Sequence, residues 1–385
     1  MSSAAPLLIS AVGDISFEGR DADNPSLERF AGIAGQLRRV DLTIGNLECA
    51  LTHKGRGGIP GKCTLRGDPL WATVLKQAGI GFVTLANNHV MDFGPEGLLS
   101  TMEALRQAGV GFAGAGRNRD EACGPVFVDL AGRRVALLGR SAVIVSAPTY
   151  AQRNVPGVAF LDIDETLDAI RACRTRADLV ILMMHWGIEE YSYPSPSQRS
   201  LARRFIGAGA DIVLGHHPHV PQGIERVGHG VVAYSLGNFA FDEFEWAYTL
   251  PDGRLSPQVA SLSAENRHGV VATLEWARGA KRGLPAIATR LTRIDERGKV
   301  LVDHDPARER RWPALTTELD RRFYAVRWRT YALRREWNLR LGEQATPGQL
   351  LTKLHRVRWR HIASAFTALM RSLRIVSEKT TNPYE

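Results

Sequence analysis

Up to about residue 240 the chain alternates short, β-rich apolar runs with stretches of helical periodicity, and this alternation restricts its fold more than any other feature. Runs at 7–12, 42–45, 82–85, 179–184, 212–214 and 231–234 read as strands, and 69–78, 95–108 and 197–207 read as helices. Two of the helices open at a proline, and Asp68 stands where an N-cap belongs ahead of Pro69. The run 179–184 is apolar at every position, as a strand can be when both faces of its sheet are covered. Runs 126–130 and 135–138, joined through Ala131-Gly132, predict a hairpin. Three later runs, 270–276, 286–291 and 299–302, predict antiparallel strands with turns at Gly283-Leu284-Pro285 and Glu296-Arg297-Gly298. Strands alternating with helices predict an α/β layered architecture, here a mixed sheet pair flanked by helices.

Between these parts, segment 241–268 is rich in polar and turn residues but carries Phe244, Trp246 and Tyr248, which predicts a lid or binding loop. Beyond Pro306, Leu315, Leu319, Phe323, Val326, Leu333, Trp337 and Leu341 recur at roughly helical spacing, and a second such set follows Thr346-Pro347-Gly348. The expected division is a domain at 5–305 and a basic helical extension at 306–385. From Asp303 onward the chain carries +8 of the formal net charge of +9, and the body before it is close to neutral. Arg327-Trp328-Arg329 and Arg358-Trp359-Arg360 suit packing on the body, self-association or contact with an anionic membrane surface. No nucleic-acid-binding motif accompanies them, so no nucleic-acid partner is expected. The four cysteines are scattered without a C-x-x-C pair and are expected to be free thiols. No apolar run approaches the roughly 18 residues of a membrane span and no signal segment is evident, which predicts a cytoplasmic protein.

The chemistry is concentrated where strands end. In open α/β folds, residues beyond the carboxyl ends of strands converge on one crevice. Six polar clusters stand at such points: Gly13-Asp14, Gly45-Asn46-Leu47-Glu48, Asn87-Asn88-His89 with Asp92, His185-Trp186-Gly187, Gly215-His216-His217-Pro218-His219, and Ser235-Leu236-Gly237-Asn238. Singly each has an ordinary structural reading: a turn, a helix cap, a packed core histidine. Together they supply what a divalent-metal hydrolase needs. Carboxylates hold and bridge ions, and neutral imidazoles complete each shell. Two ions about 3.5–4 Å apart lower the pKa of a bridging water and stabilise displacement at phosphorus. Asp14, Glu48, Asn88, His185, His217 and His219 are ligands of the right type for one or two ions of Mn, Fe or Zn. His89, next to Asn88, is suited to protonate a leaving oxygen, with Asp92 as its companion.

Taken with Gly114-Ala115-Gly116 and Gly209-Ala210-Asp211, the motif series resembles that of the bacterial capsule-synthesis CapA family, within the calcineurin-like phosphoesterases. The resemblance covers about residues 8–242. It implies a four-layer α/β/β/α metallophosphoesterase-like sandwich, here with a C-terminal helical extension, and a link to poly-γ-glutamate capsule synthesis. It further implies that Asp14 and His219 hold one ion and Asn88, His185 and His217 the other, with Glu48 bridging them. Two departures from the pattern stand out: Ser16 where the superfamily usually has a histidine, and Cys49-Ala50 where a proline is common. With Ser16 in place, the site is mononuclear, asymmetric, or completed by another group. Arg20, Lys62 and Arg66, with Asn46, His216 and Asn238, are the expected contacts to an anionic small-molecule or polymer substrate. Glu189, Glu190 and Gln198 are placed to orient His185 or close the pocket. The expected function is metal-dependent hydrolysis of an anionic substrate; the alternative is a non-catalytic capsule-polymer assembly or binding protein on the same fold.

Overall fold

The computed structural model describes residues 6–55, 62–143, 149–249, 254–277 and 283–341. They divide into two compact units, one holding the chain to Pro194 together with Arg199–Asp320, the other Ser195–Gln198 together with the chain from Arg321.

The first unit is built on two sheets. In the first, of eight strands, the order is Val300–Val302, Ala286–Ile294, His268–Trp276, Leu7–Ile15, Leu42–Leu47, Phe82–Thr84 and Gly111–Ala113, with Asn238–Ala240 paired alongside Leu7–Ile15. The N-terminal strands are mutually parallel, and His268–Trp276 joins Leu7–Ile15 antiparallel. The second sheet runs Ile224–Val227, Gly230–Ala233, Ile212–His216, Leu179–His185, Arg133–Ser141, Val126–Leu130. The expected hairpin between its last two strands turns through Ala131 (φ 48°) and Gly132 (φ 76°). Positive φ at both central residues gives the turn a twist that matches its strands.

Side-chain alternation assigns each face. Leu7, Ile9 and Ala11 point into one core with Leu179, Ile181, Met183, Val135, Leu137, Ile212 and Leu214, so the two sheets pack face to face. Val12, Leu47 and Val83 lie in another core with Trp71, Leu75, Leu98 and Met102 of helices Trp71–Ala78 and Gly94–Ala108. Val180, Leu182 and Val213, on the outer side of the second sheet, are as fully buried as Ile170 of helix Ile163–Arg174 and Phe205 of helix Pro196–Ala208. The layering is α/β/β/α, and it accounts for the unbroken apolar run of Leu179–His185.

Two segments carry more structure than their sequence suggests. Segment 241–268 contains a hairpin: Phe244–Thr249 pairs antiparallel with Leu255–Ala260, Trp246 opposite Gln258. The period-two alternation of Phe244-Glu245-Trp246-Ala247-Tyr248-Thr249 carries that strand, although the polar composition around it suggests a loop. Helix Pro306–Leu319, read with the extension, lies in the first unit. Asp305 caps it by accepting from Ala307 N, and Trp312 and Leu315 enter the core between the sheets. Helix Tyr324–Leu341 lies in the second unit, and the helical stretch expected beyond Thr346 is outside the described residues. Among the described residues no helix is long and apolar enough to cross a membrane, and the four cysteines are free.

Candidate metal centre

The parallel strands of both sheets deliver their ends to one place. Asp14 sits in the last turn of pleat of Leu7–Ile15, in register with Asn46 on one side and Asn238 on the other. The register shifts on both sides of Asp14, a bulge that re-aims its side chain. Gly13 is required beside it, since a Cβ there would meet the Gly237 carbonyl oxygen at 1.8 Å. In the second sheet His185 ends its strand opposite His216. The chain then turns sharply, with His217 at φ 96° and His219 at φ 57°. Left-handed backbone at two non-glycine residues is strain of the kind found where function holds it in place.

The ligand atoms converge. Asp14, Glu48 and His185 form one group, and Glu48, His217 and His219 another, with donor atoms in each within 4.8 Å of one another. Glu48 belongs to both: its Oε1 lies 3.5 Å from His185 Nε2 and 3.7 Å from His219 Nε2. Asp14 Oδ2 lies 3.3 Å from His219 Nδ1 and accepts from the His217 backbone N–H at 3.2 Å. Asn88 Oδ1 lies 2.7 Å from His185 Nε2. Asp14, Glu48 and His185 are fully buried. Glu48 Oε1 and His217 Nδ1 have no hydrogen-bond partner among the described residues. Buried polar atoms are normally satisfied, so an unpartnered carboxylate oxygen and imidazole nitrogen aimed into one cluster fit a divalent cation.

Charge follows the same logic. Burial pushes Asp14 up, but the rings of His216 and His219 against it hold its carboxyl well below the usual range. Burial pushes the Glu48 carboxyl up, with His219 opposing. Burial holds His185 well below the ordinary histidine value and brings His217 down to about 4, so both rings are neutral donors at pH 7. For His219 burial acts downward, but Glu48 and Asp14 outweigh it and carry the ring up to about 10. Two buried carboxylates call for positive charge, which His219 supplies as a proton and a divalent ion would supply more fully.

Beside the ligands stands a second constellation. His89 Nδ1 lies 2.7 Å from Asp92 Oδ2, which also accepts from Leu65 N at 2.8 Å. The Lys62 ammonium bonds Asp92 Oδ1 and, at 2.5 Å, the Asn88 carbonyl. A histidine held through Nδ1 by a carboxylate presents Nε2 outward, where it can exchange a proton. Burial pulls the His89 ring below the ordinary histidine value, with Asp92 opposing.

The other expected contacts divide. Asn46 is fully buried beneath the ligands, donating to Asp14 Oδ1 and Glu48 Oε2. His216 is buried with Nδ1 3.2 Å from Asp14 Oδ1, at an angle that makes no hydrogen bond, and neither ring nitrogen has a hydrogen-bond partner among the described residues. Asn238 donates to the Asn266 carbonyl at 2.9 Å, which leaves its Oδ1 to accept from His219 Nδ1, also at 2.9 Å. Arg66 makes a bidentate pair with Asp23 at 2.7 Å, and Arg20 is exposed; among the described residues neither hydrogen-bonds a member of the ligand groups. The Ser16 hydroxyl accepts from Glu18 N at 3.4 Å and stands beside the Cys49 thiol. Glu189 is exposed, yet its charge acts on both His217 and His219. Asn87 and Asn266 were not among the expected site residues. Asn87 lies inside a motif whose neighbours drew attention, and Asn266 has no local signal at all.

The geometry has a counterpart in known sequences. The profile described as bacterial capsule synthesis protein PGA_cap matches residues 8–243. The chain belongs to that family. It is 39% identical over 173 residues to the capsule biosynthesis protein CapA of Bacillus anthracis, covering 44% of this chain and 42% of that one. With the PGA biosynthesis protein CapA of Bacillus subtilis (strain 168) it shares 34% identity over 245 residues, 62% of this chain and 64% of that one. The chain thus spans less than two thirds of these PGA_cap relatives. Among solved structures, the NAD nucleotidase NadN of Haemophilus influenzae aligns over 80% of this chain and 55% of its own at 14% identity, with a TM-score of 0.42.

Proposed function

We propose that this PGA_cap protein is a metal-dependent hydrolase acting on an anionic substrate, with phosphoester chemistry first in view. The observation that carries the reading is Glu48, buried, shared by both ligand groups, with Oε1 unpartnered between two histidines. Unlike the division the resemblance implies, Asp14, Glu48 and His185, with Asn88, would hold one ion, and Glu48, His217 and His219 the other. Bound divalent ions supply Lewis acidity and a nucleophilic water at neutral pH. The chain's own part is distinct. Asp92, fastened by Lys62 and Leu65 N, orients His89 and favours its charged form against the burial that lowers it, so that the ring, once protonated, can pass the Nε2 proton to the leaving oxygen. Burial of the ligands excludes bulk water and strengthens each electrostatic contact. The names of the relatives point to capsule biosynthesis as the setting, so an anionic capsule polymer or a small precursor of it is the substrate class proposed.

The test is turnover of an aryl phosphate by the metal-stripped chain re-supplied with Mn²⁺, Fe²⁺ or Zn²⁺. Turnover should appear with metal and fall at least about 100-fold in His217→Ala, a loss typical of removing a principal electrostatic contributor. Undiminished turnover in that variant would refute the assignment. A second reading, a polymer-binding or assembly protein on the same fold, draws on Ser16, a residue with no imidazole to offer where the superfamily usually has a histidine. Metal binding without turnover of any ester would favour it.

A further inference from the structure

The buried amides beneath the ligands have an orientation that can be deduced. Asn87 Oδ1 lies 3.0 Å from His89 N and 2.9 Å from Val90 N. Backbone N–H groups only donate, so this end of the amide is the oxygen. Its nitrogen therefore faces Leu47 O at 2.7 Å, which only accepts, and Asn46 Oδ1 at 3.0 Å. Asn46 in turn must present its nitrogen to the metal cluster, where Nδ2 lies 2.9 Å from Asp14 Oδ1, 3.1 Å from Glu48 Oε2 and 3.4 Å from His185 Nδ1. Its two protons go to the two nearer acceptors, both carboxylate oxygens. With Asp14 Oδ1 and Glu48 Oε2 held by this amide, the other oxygens, Asp14 Oδ2 and Glu48 Oε1, are the ones turned toward His219. An amide flip at either asparagine would set oxygen against oxygen, so the chain of donors has one direction.

We propose that Asn46, locked by Asn87, is a positioning residue that sets which oxygen of each carboxylate faces a divalent ion. The relay begins at the backbone of His89, so it also ties the segment bearing the proton donor to the ligands of the metal. This rests on the metal-site reading above. It gives Asn46 a role beneath the ligands rather than against substrate, as its complete burial requires.

The experiment is a calorimetric titration of Mn²⁺ into the metal-stripped full chain, with the thermal midpoint of each stripped protein measured alongside. Asn46→Ala removes both donors; Asn46→Ser keeps a short polar group that cannot span both carboxylates and is the variant to read if the alanine form does not fold. The expected result is a Kd for Mn²⁺ raised roughly 10–100-fold in each folded variant, the usual effect of losing a partner behind a ligand. A purely structural role would lower the thermal midpoint and leave the affinity of the folded fraction unchanged, and affinity within threefold of the wild type overturns the proposal. Absence of Mn²⁺ binding by the wild type overturns the metal-site reading together with it, which separates the two failures.

Discussion

A carboxylate like Glu48, wholly buried with one oxygen unpartnered, costs several kcal/mol unless something compensates it, and a divalent ion shared by two ligand groups is compensation of the right sign and size. Elsewhere the chain buries charge differently. Glu225 accepts from Arg199 at 2.6 Å, from Arg203 at 2.5 Å and from the Tyr234 hydroxyl at 2.6 Å. Burial pushes Glu225 up, but Arg199 and Tyr234 prevail and hold it below the ordinary glutamate value. A depressed carboxylate contributes stability that is present above its unfolded pKa, about 4.3, and is lost as pH falls through the folded one. Denaturation measured from pH 7 down to 3 should therefore show an acid-side loss that is shallower in Glu225→Gln; an unchanged slope would contradict it. At this scale the sequence was legible for ligand types, because Asp, Glu, Asn and His at strand ends have few other uses in such density. Partners were not legible. Nothing near Arg66 in sequence says that Asp23 will take its guanidinium, and nothing in Asn46 says that its amide will point down rather than out.

Elements bring those residues together because strands end in step. His185 and His216 are register partners, and Asp14 is flanked by Asn46 and Asn238, so a slip in either sheet would scatter the ligands. Glycines permit the close approach. A Cβ on Gly215 would stand 1.9 Å from the Tyr234 carbonyl oxygen and 2.6 Å from Trp186 Nε1. Gly215→Ala should cost about 1–3 kcal/mol or more in urea denaturation, and should weaken metal binding as His216 to His219 shift. Wild-type stability and binding would contradict that account. Most strands could be placed from sequence because their apolar runs are short and bounded by turns. The Phe244–Thr249 hairpin could not, since polar neighbours mask its alternation.

At the scale of the whole molecule, the unit that carries the site extends through Asp320. Helical spacing announced helix Pro306–Leu319 but not the surface it covers, because periodicity marks an apolar stripe without naming its partner. With Trp312 and Leu315 in the core between the sheets, a chain ending at Asp320 should keep cooperative thermal unfolding. One ending at Asp305 should lose at least the roughly 3–5 kcal/mol of a buried tryptophan. Equal stability of the two would contradict this placement.

If Glu48 joins the two ligand groups into one metal centre, its charge should decide how much metal the chain holds. Elemental analysis of the purified full chain, wild type beside Glu48→Gln, tests it most directly. Bound divalent metal is expected in the wild type, with its loss, beyond one ion's worth where two are present, in the variant that removes the shared carboxylate charge. Metal content identical in both proteins, or no metal in the wild type after loading with Mn²⁺, Fe²⁺ and Zn²⁺ in turn, would contradict it.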